Sequence, residues 1–320
     1  MKPGIYPEIS MREYHALPAV NAGLLKTLLE RCPKAAWFES WLNPGRPAST
    51  SDDAQRIGTV AHSIFLEGDA SVMRVIDPKD HPNKTKPFAV PAGWTNTAMQ
   101  EARAAAIADG KTPMLPEEAG KVTEMLSALR EYLDSLRKRQ PAVWELFQPD
   151  GGDSEVTMLW EDEGGTLCRF RPDRISKDRK LIGDYKTVSV SAQPDAWARM
   201  HLFKLGYPTS AGFYRRGAKR LFNVTPDYVY LVQEQEEPFL CSLVGLNPQV
   251  YEFGDRRAAR GLDRWIGCAK AGHWPGYPAD VAYPEIPVWE VARDEVEELD
   301  GNAYDYPDLG WGKHLKQEAA

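Results

Sequence analysis

Apolar residues recur at helical spacing through the first half of the chain and at strand spacing from about residue 155, so the pattern separates a helical stretch from a sheet-forming one. Leu24, Leu25, Leu28 and Leu29 predict a helix over 20–42, with Asn21 as its N-cap and a break or restart at Pro33. Residues 43–53 (NPGRPASTSDD) read as a loop, and Gln55 to Glu67 as a second helix, which carries His62 and ends on the charge of Glu67. Pro78 to Pro91, with Trp94 beyond it, has no periodicity and reads as a surface loop. Val122, Met125, Leu126, Leu129, Leu133 and Leu136 define a long amphipathic helix, Glu117 to Lys138, whose apolar stripe is core packing. Glu155 to Trp160 is then a strand and Gly164-Gly165 a turn. Residues 166–175 alternate, Ser176 to Arg179 is a polar turn, and Lys180 to Val188 is extended again, which together make a hairpin. Residues 194–222 read as helical with a break at Gly206-Tyr207-Pro208. Two strands follow, Pro226 to Gln233 and Phe239 to Leu246, and Asn247-Pro248 opens a helix from Gln249 to Ala271. Central strands with helices on either side predict an α/β (α+β) fold, a mixed sheet wrapped by helices.

Composition narrows this picture. The chain has 320 residues, 42% hydrophobic and 27% charged, ordinary for a globular protein with a sizeable core. We read residues 1–290 as one domain, with 1–150 mainly helical and 151–290 forming the sheet, and 291–320 as an acidic tail. The acidic run from Glu290 to Asp300, followed by Trp311-Gly312-Lys313, predicts disorder there. No apolar run approaches the roughly 20 residues of a membrane span, and Met1-Lys2-Pro3-Gly4 leads into no apolar signal segment, so a cytoplasmic protein is expected. Cys32, Cys168, Cys241 and Cys268 are widely separated and read as reduced thiols outside any zinc spacing.

The chemistry concentrates in the hairpin. Arg171-Pro172-Asp173 on one strand and Asp184-Tyr185-Lys186 on the other bring two carboxylates and an amine together. Asp184 and Lys186, two apart on a strand, point to the same side. Such a cluster suits a hard divalent cation, with the lysine steering water and offsetting phosphate charge. The competing reading is a surface ion pair. Phe170, Ile175 and Leu181-Ile182-Gly183 place the charges in half-buried strands, where carboxylates need a metal or partner to offset desolvation. Glu155, on the preceding strand, is read either as an additional acidic contact or as an edge-strand charge.

Four segments in order resemble the PD-(D/E)XK nuclease superfamily, and within it the phage exodeoxyribonuclease VIII (RecE-like) type, related to RecB-type nuclease domains. They are the opening Tyr14 to Lys26 with Cys32-Pro33, the Gly58-Thr59-x-x-His62 helix, Cys168-x-x-Arg171-Pro172-Asp173, and Gly183-Asp184-Tyr185-Lys186-Thr187. The resemblance implies a restriction-endonuclease-like core with a helical N-terminal elaboration. It implies metal ligation by His62, Asp173, Asp184 and the backbone carbonyl of Tyr185, and catalysis by Asp173, Asp184, Lys186 and Tyr214. The family's Gln-x-x-x-Tyr helix is matched at Tyr214, but Ser210 stands where the glutamine would be. Mg²⁺, or Mn²⁺ in its place, is the implied cofactor. No iron-sulfur cluster is expected, because the close C-terminal cysteine trio of cluster-bearing relatives is missing from the sequence.

The implied activity is 5′→3′ resection of linear duplex DNA ends, with the exposed strand passed to a RecT-like single-strand annealing protein. The implied assembly is a homo-oligomer, a toroidal tetramer. A catalytically idle DNA-end-binding scaffold and a RecB-like nuclease acting on single-stranded ends remain as alternatives. The net charge of −7 runs against DNA binding, but basic residues gather at Arg215-Arg216, Lys219-Arg220, Arg256-Arg257 and Arg260. Arg171, Arg215, Arg216 and Lys219 are therefore the candidate DNA contacts, set against the plainer reading of a solvated helix face.

Overall fold

The computed structural model describes residues 1–46, 56–82 and 93–301. Strand β1 (Gly4–Tyr6) leads to helix α1 (Met11–Ala16), which a reciprocal Ser10–Glu13 capping box starts. The predicted helix over 20–42 is two helices, α2 (Ala22–Glu30) and α3 (Pro33–Glu39). Asn21 caps the first, accepting the Leu24 N–H at 2.9 Å. Cys32 is extended between them, and Pro33 opens α3 at a position where its missing N–H costs nothing. Helix α4 (Arg56–Glu67) carries His62. Two short parallel strands, β2 (Met73–Val75) and β3 (Thr112–Met114), enclose α5 (Thr97–Ala108). The predicted loop over 78–91 begins with a 3-10 turn, Pro78–Asp80, and continues outside the described residues, as does part of the loop over 43–53. Helix α6 (Pro116–Leu136) follows the predicted stripe, and α7 (Pro141–Leu146) comes after it.

From residue 152 the strands are β4 (Gly152–Ser154), β5 (Thr157–Glu161), β6 (Leu167–Phe170), β7 (Arg174–Ser176) and β8 (Leu181–Val188). Helix α8 (Pro194–Trp197), a π-helical turn (Ala198–Leu202) and α9 (Tyr207–Phe222) connect β8 to β9 (Asp227–Glu234). Strand β10 (Cys241–Gly245) and helix α10 (Pro248–Ala271) complete the compact unit Met1–Gly276. A second unit begins at Tyr277 and holds helix α11 (Val288–Gly301), where the sequence predicts a disordered tail from 291. No helix among the described residues is long and apolar enough to cross a membrane.

The main sheet has the order β10-β9-β8-β7-β4, with β8 and β9 parallel and the other pairs antiparallel. Side-chain alternation along the parallel pair gives the sheet two covered faces. Tyr185, Val229 and Leu231 pack with Val122, Met125, Leu126 and Leu129 of α6 and with Val60 and Ala61 of α4. Ile182, Tyr228, Tyr230 and Val232 pack with Leu25 of α2, Phe213 of α9 and Leu262 of α10. This is the mixed sheet between helical layers that the pattern predicts.

One departure positions the site. The alternating stretch 166–175 is not a single strand of one sheet: β6 pairs with β5, which also pairs with β1, in a three-stranded sheet, whereas β7 pairs with β8 and β4 in the main one. The register is nonetheless continuous, running from Gly152↔Ser176 to Ser154↔Arg174 and resuming from Met158↔Phe170 to Glu161↔Leu167. A single long hairpin thus splays open at Glu155 on one arm and at Arg171–Asp173 on the other. Glu155 has φ 50, and its N–H reaches the Asp173 carbonyl at 3.3 Å. A left-handed glutamate costs backbone energy, so the surroundings must impose this kink, a pattern that clusters at functional sites.

Candidate metal centre

Both arms of the splayed hairpin present a carboxylate to α4. That helix lies close on β8 because Gly58 has no side chain: a Cβ there would stand 2.4 Å from Thr187 Oγ1. One turn on, His62 projects from the same side of the helix. Its Nε2 lies 3.0 Å from Asp173 Oδ2 and 3.6 Å from Glu155 Oε1, and one ligand atom from each of the three residues falls within 4.8 Å of the others.

Strand β8 supplies the next layer. The Tyr185 N–H donates to Asp173 Oδ2 at 2.8 Å, fixing that carboxylate to the strand beside it. Lys186 Nζ is 3.8 Å from Asp173 Oδ2 and contacts Asp184 Oδ1, so one ammonium bridges the two aspartates. The other Asp184 oxygen accepts the Tyr228 hydroxyl at 2.8 Å, from the parallel neighbour β9. Behind Glu155, Arg171 Nε donates to Oε2 at 2.8 Å while its Nη1 donates to the Ile9 carbonyl at 2.7 Å and to Thr157 Oγ1 at 2.9 Å.

The charges follow from this geometry. Burial, reinforced by Asp173, pushes Glu155 up to about 7 against the pull of Arg171 and His62. Burial and Asp173 likewise push Asp184 up to about 6, although Lys186 and the Tyr228 hydroxyl act the other way. Burial also works against ionised Asp173, yet Lys186, His62 and the Tyr185 N–H hold its carboxyl below the usual range. For His62, Asp173 and Glu155 overcome burial and raise the imidazole above its ordinary value. Lys186, between two aspartates, is held well above the ordinary lysine range despite its burial. Three carboxylates in so small a volume cannot all ionise cheaply, and Glu155 and Asp184 bear that cost. A bound divalent cation offsets it. The donor set, carboxylate oxygens with one imidazole nitrogen, fits a hard or borderline divalent ion.

The comparisons with known proteins decide the family. The model of a PDDEXK-like domain of unknown function (DUF3799) matches residues 23–285. The chain belongs to this PDDEXK-like family. A solved structure described as a “Putative exonuclease” from Eubacterium rectale superposes with a TM-score of 0.53 over 89% of this chain and 98% of that one, at 10% identity, and bears on the fold alone. Another, SSO0001, aligns over 65% of this chain and 86% of that one at 14% identity, but its TM-score of 0.25 carries no weight. No curated protein sequence matches. Membership of a PDDEXK-like family supports a nuclease, and His62, Glu155 and Asp173 are a group that could hold a divalent metal.

Within the PDDEXK-like domain, the structure brings His62, Asp173, Asp184 and Lys186 together. Tyr185 contributes its backbone here, while its hydroxyl turns inward to Gln233 at 2.6 Å. Tyr214 is half-buried, and its hydroxyl donates to the Arg171 carbonyl at 3.3 Å, propping the segment that leads into Asp173. The side chain of Arg171, predicted as a DNA contact, is buried against Glu155. Its guanidinium is satisfied inside the molecule, because the bend at 171–173 turns it toward the opposite arm of the hairpin. Arg215 stacks 3.8 Å from the Tyr251 ring centroid and donates to the Pro226 carbonyl at 3.0 Å. Arg216 and Lys219 line a cavity of about 590 Å³ with Asn223, Thr225 and Asp255, and none of His62, Glu155, Asp173 and Asp184 lines it. Sequence reasoning left Glu155 undecided and missed Tyr228. The signals were the φ > 0 kink, invisible before folding, and the Tyr228-x-Tyr230 alternation, which a parallel pairing with β8 turns toward Asp184.

Proposed function

We propose that this protein is a metal-dependent DNA exonuclease that resects linear duplex ends in the 5′→3′ direction, to prepare strands for recombination by annealing. The observation that carries the reading is the convergence of His62, Glu155 and Asp173 within 4.8 Å of one another beside a lysine shared by Asp173 and Asp184. Polarity, a RecT-like annealing partner and a tetrameric ring are supported by the resemblance of the four motifs to RecE-like enzymes.

Asp173, Glu155 and His62, with Asp184 beside them, would hold Mg²⁺ or Mn²⁺. When bound, such an ion supplies Lewis-acid neutralisation of phosphate charge and makes nearby water more acidic. Lys186, anchored by Asp173 and Asp184, orients the attacking water and offsets charge on the phosphate oxygens. Asp173, held ionised, stays a ligand, and the proton that the water loses passes to solvent. The new P–O bond forms as the bond to the 3′-oxygen breaks. That oxygen leaves as a 3′-hydroxyl after protonation from solvent, and the released nucleotide keeps a 5′-phosphate. The Tyr228 hydroxyl and Tyr185 N–H keep the two aspartates in place through the cycle, which is what a preorganised site requires.

A linear duplex labelled separately at its 5′ and 3′ termini, incubated with Mg²⁺ or EDTA, tests this. Wild type should release the 5′ label first and only with metal, and Asp184→Ala and Lys186→Ala should abolish release. Intact DNA that all three proteins still bind by its ends would replace the nuclease with an end-binding scaffold. Preferential loss of single strands would point to a RecB-like substrate.

A further inference from the structure

Lys26 lies on α2, which packs on the sheet face that carries Asp184 and Lys186, and none of the site described so far uses it. Its ammonium donates to the Leu205 carbonyl at 3.1 Å and stands 5.7 Å from the centroid of the Tyr207 ring. Lys186 stands 5.9 Å from the same centroid. One tyrosine ring at the start of α9 therefore faces two ammoniums, the catalytic one and that of Lys26. Glu30, one helical turn beyond Lys26, is directed to Arg257 at 3.7 Å, and among the described residues no carboxylate lies within ion-pair distance of Lys26. The chain also makes room for this lysine. Gly206 has φ 64, and a Cβ there would meet the Lys26 side chain at 2.8 Å and Glu30 Oε1 at 2.7 Å.

Capping the Leu205 carbonyl explains one of the three ammonium hydrogens. It does not explain a half-buried lysine kept close to a second lysine, an arrangement that costs desolvation and repulsion, offset in part by the charges of Glu30 and Asp184 and by the cation–π contact at the shared ring. A polyanion beside the site removes that cost. Resting on the nuclease reading above, we propose that Lys26 is a substrate-binding residue whose ammonium takes a non-bridging oxygen of the phosphodiester adjoining the scissile one, while Lys186 serves the scissile phosphate. Tyr207 sets the spacing between the two lysines, and the Leu205 carbonyl aims Lys26.

The test is equilibrium binding of a short fluorescent blunt duplex in EDTA across a salt series, with steady-state resection in Mg²⁺ and thermal melting, for wild type, Lys26→Met and Lys26→Arg. Removing one phosphate partner should lower the slope of log K against log salt by about 0.9 on duplex. Lys26→Met should show that change and a KM raised at least several-fold with a smaller effect on kcat, while Lys26→Arg keeps the wild-type slope. A wild type that resects DNA beside a Lys26→Met protein with unchanged slope and KM would reduce Lys26 to a cap on Leu205, even if melting shifts. A wild type that binds DNA but never cleaves it would sink the nuclease reading, and the slope would still decide the phosphate contact. A wild type that does neither would sink both.

Discussion

Glu155 and Arg171 are the residues on which the geometry of the centre turns. Their side chains are 6% and 8% exposed, so the pair is desolvated on both sides. Breaking a buried pair by removing one partner typically costs roughly 3–5 kcal/mol, because the other charge is stranded. Arg171→Ala should therefore lose stability of that order in urea unfolding, while its salt slope for DNA binding stays at the wild-type value. An unchanged stability with a flatter slope would return Arg171 to the DNA surface. The pH response follows from the same cluster. Glu155 and Asp184 titrate near 7 and 6 in the folded protein, above their ordinary carboxylate range. From about pH 4 to about pH 7 the fold binds more protons than the unfolded chain, so metal-free stability falls as pH rises through that window. His62, also raised, contributes below its ordinary pKa and loses its contribution as pH climbs through the folded value. Asp173, held low, loses its contribution only in strong acid, outside the window. Melting in EDTA should thus drop from pH 5 to pH 8, and the rise in melting temperature on adding Mg²⁺ should grow over the same range. A Mg²⁺ effect that shrinks toward pH 8 would mean these carboxylates are not the ligands. At this scale, Asp184 and Lys186 were legible because strand alternation fixes their side, and Asp173 because the hairpin sets it opposite them. Glu155 and Tyr228 were not, because each becomes a site residue only through a partner strand, Tyr228 across 44 positions.

Close backbone approaches set the elements around the centre. Gly58 lets α4 lie against Thr187, whose hydroxyl also receives the Gln235 amide at 2.9 Å. Gly58→Ala must push the helix from β8 or turn Thr187 away from Gln235, and overpacking of this kind costs about 1–3 kcal/mol. Since His62 follows one turn later, the displacement should weaken Mg²⁺ binding in calorimetry by more than the stability loss accounts for. A variant with normal metal affinity would show that the helix has slack. On the other face, Gly212 of α9 meets Gly254 of α10, where a Cβ would stand 2.5 Å from the Gly254 carbonyl carbon. Backbone meets backbone there, so Gly212→Ala should lower the melting temperature without changing the metal response at the pH where both proteins are folded. The elements that could be read, α2, α6, α9, α10 and the β7–β8 hairpin, carry a periodic apolar stripe or punctuation by Asn, Gly or Pro. The short pieces β2, β3, α5 and α7 do not, because their packing comes from neighbours distant in sequence. The bend within 166–175 escaped because alternation continues across it while the sheet partner changes.

Over the whole molecule, the net charge of −7 makes DNA binding a question of distribution. Of the basic residues on α9, Arg215 is committed to the Pro226 carbonyl, to Asp255 at 3.4 Å and to the Tyr251 ring, and Arg220 to Glu163 at 2.7 Å. Among the described residues, Lys219 donates to the Asn223 carbonyl at 3.3 Å and has no ion pair, and Arg216 has no ion pair either. Both open onto the cavity of about 590 Å³ at the C-terminal end of α9. Part of this basic charge is accounted for by the helix dipole, which favours cations at that end by a few tenths of a kcal/mol up to about 1 kcal/mol. The remainder is separable by experiment, because a dipole partner changes stability whereas a phosphate contact changes salt dependence. If DNA crosses this end of the molecule, Arg216→Glu with Lys219→Glu should weaken duplex binding in EDTA and lower the salt slope by about 0.9 for each phosphate that is no longer neutralised, with melting near wild type. Arg215→Glu should do the reverse, lowering melting through Asp255 and Tyr251 and leaving the slope alone. A double variant with an unaltered slope would confine the DNA path to the side of the molecule that carries Lys186 and Lys26.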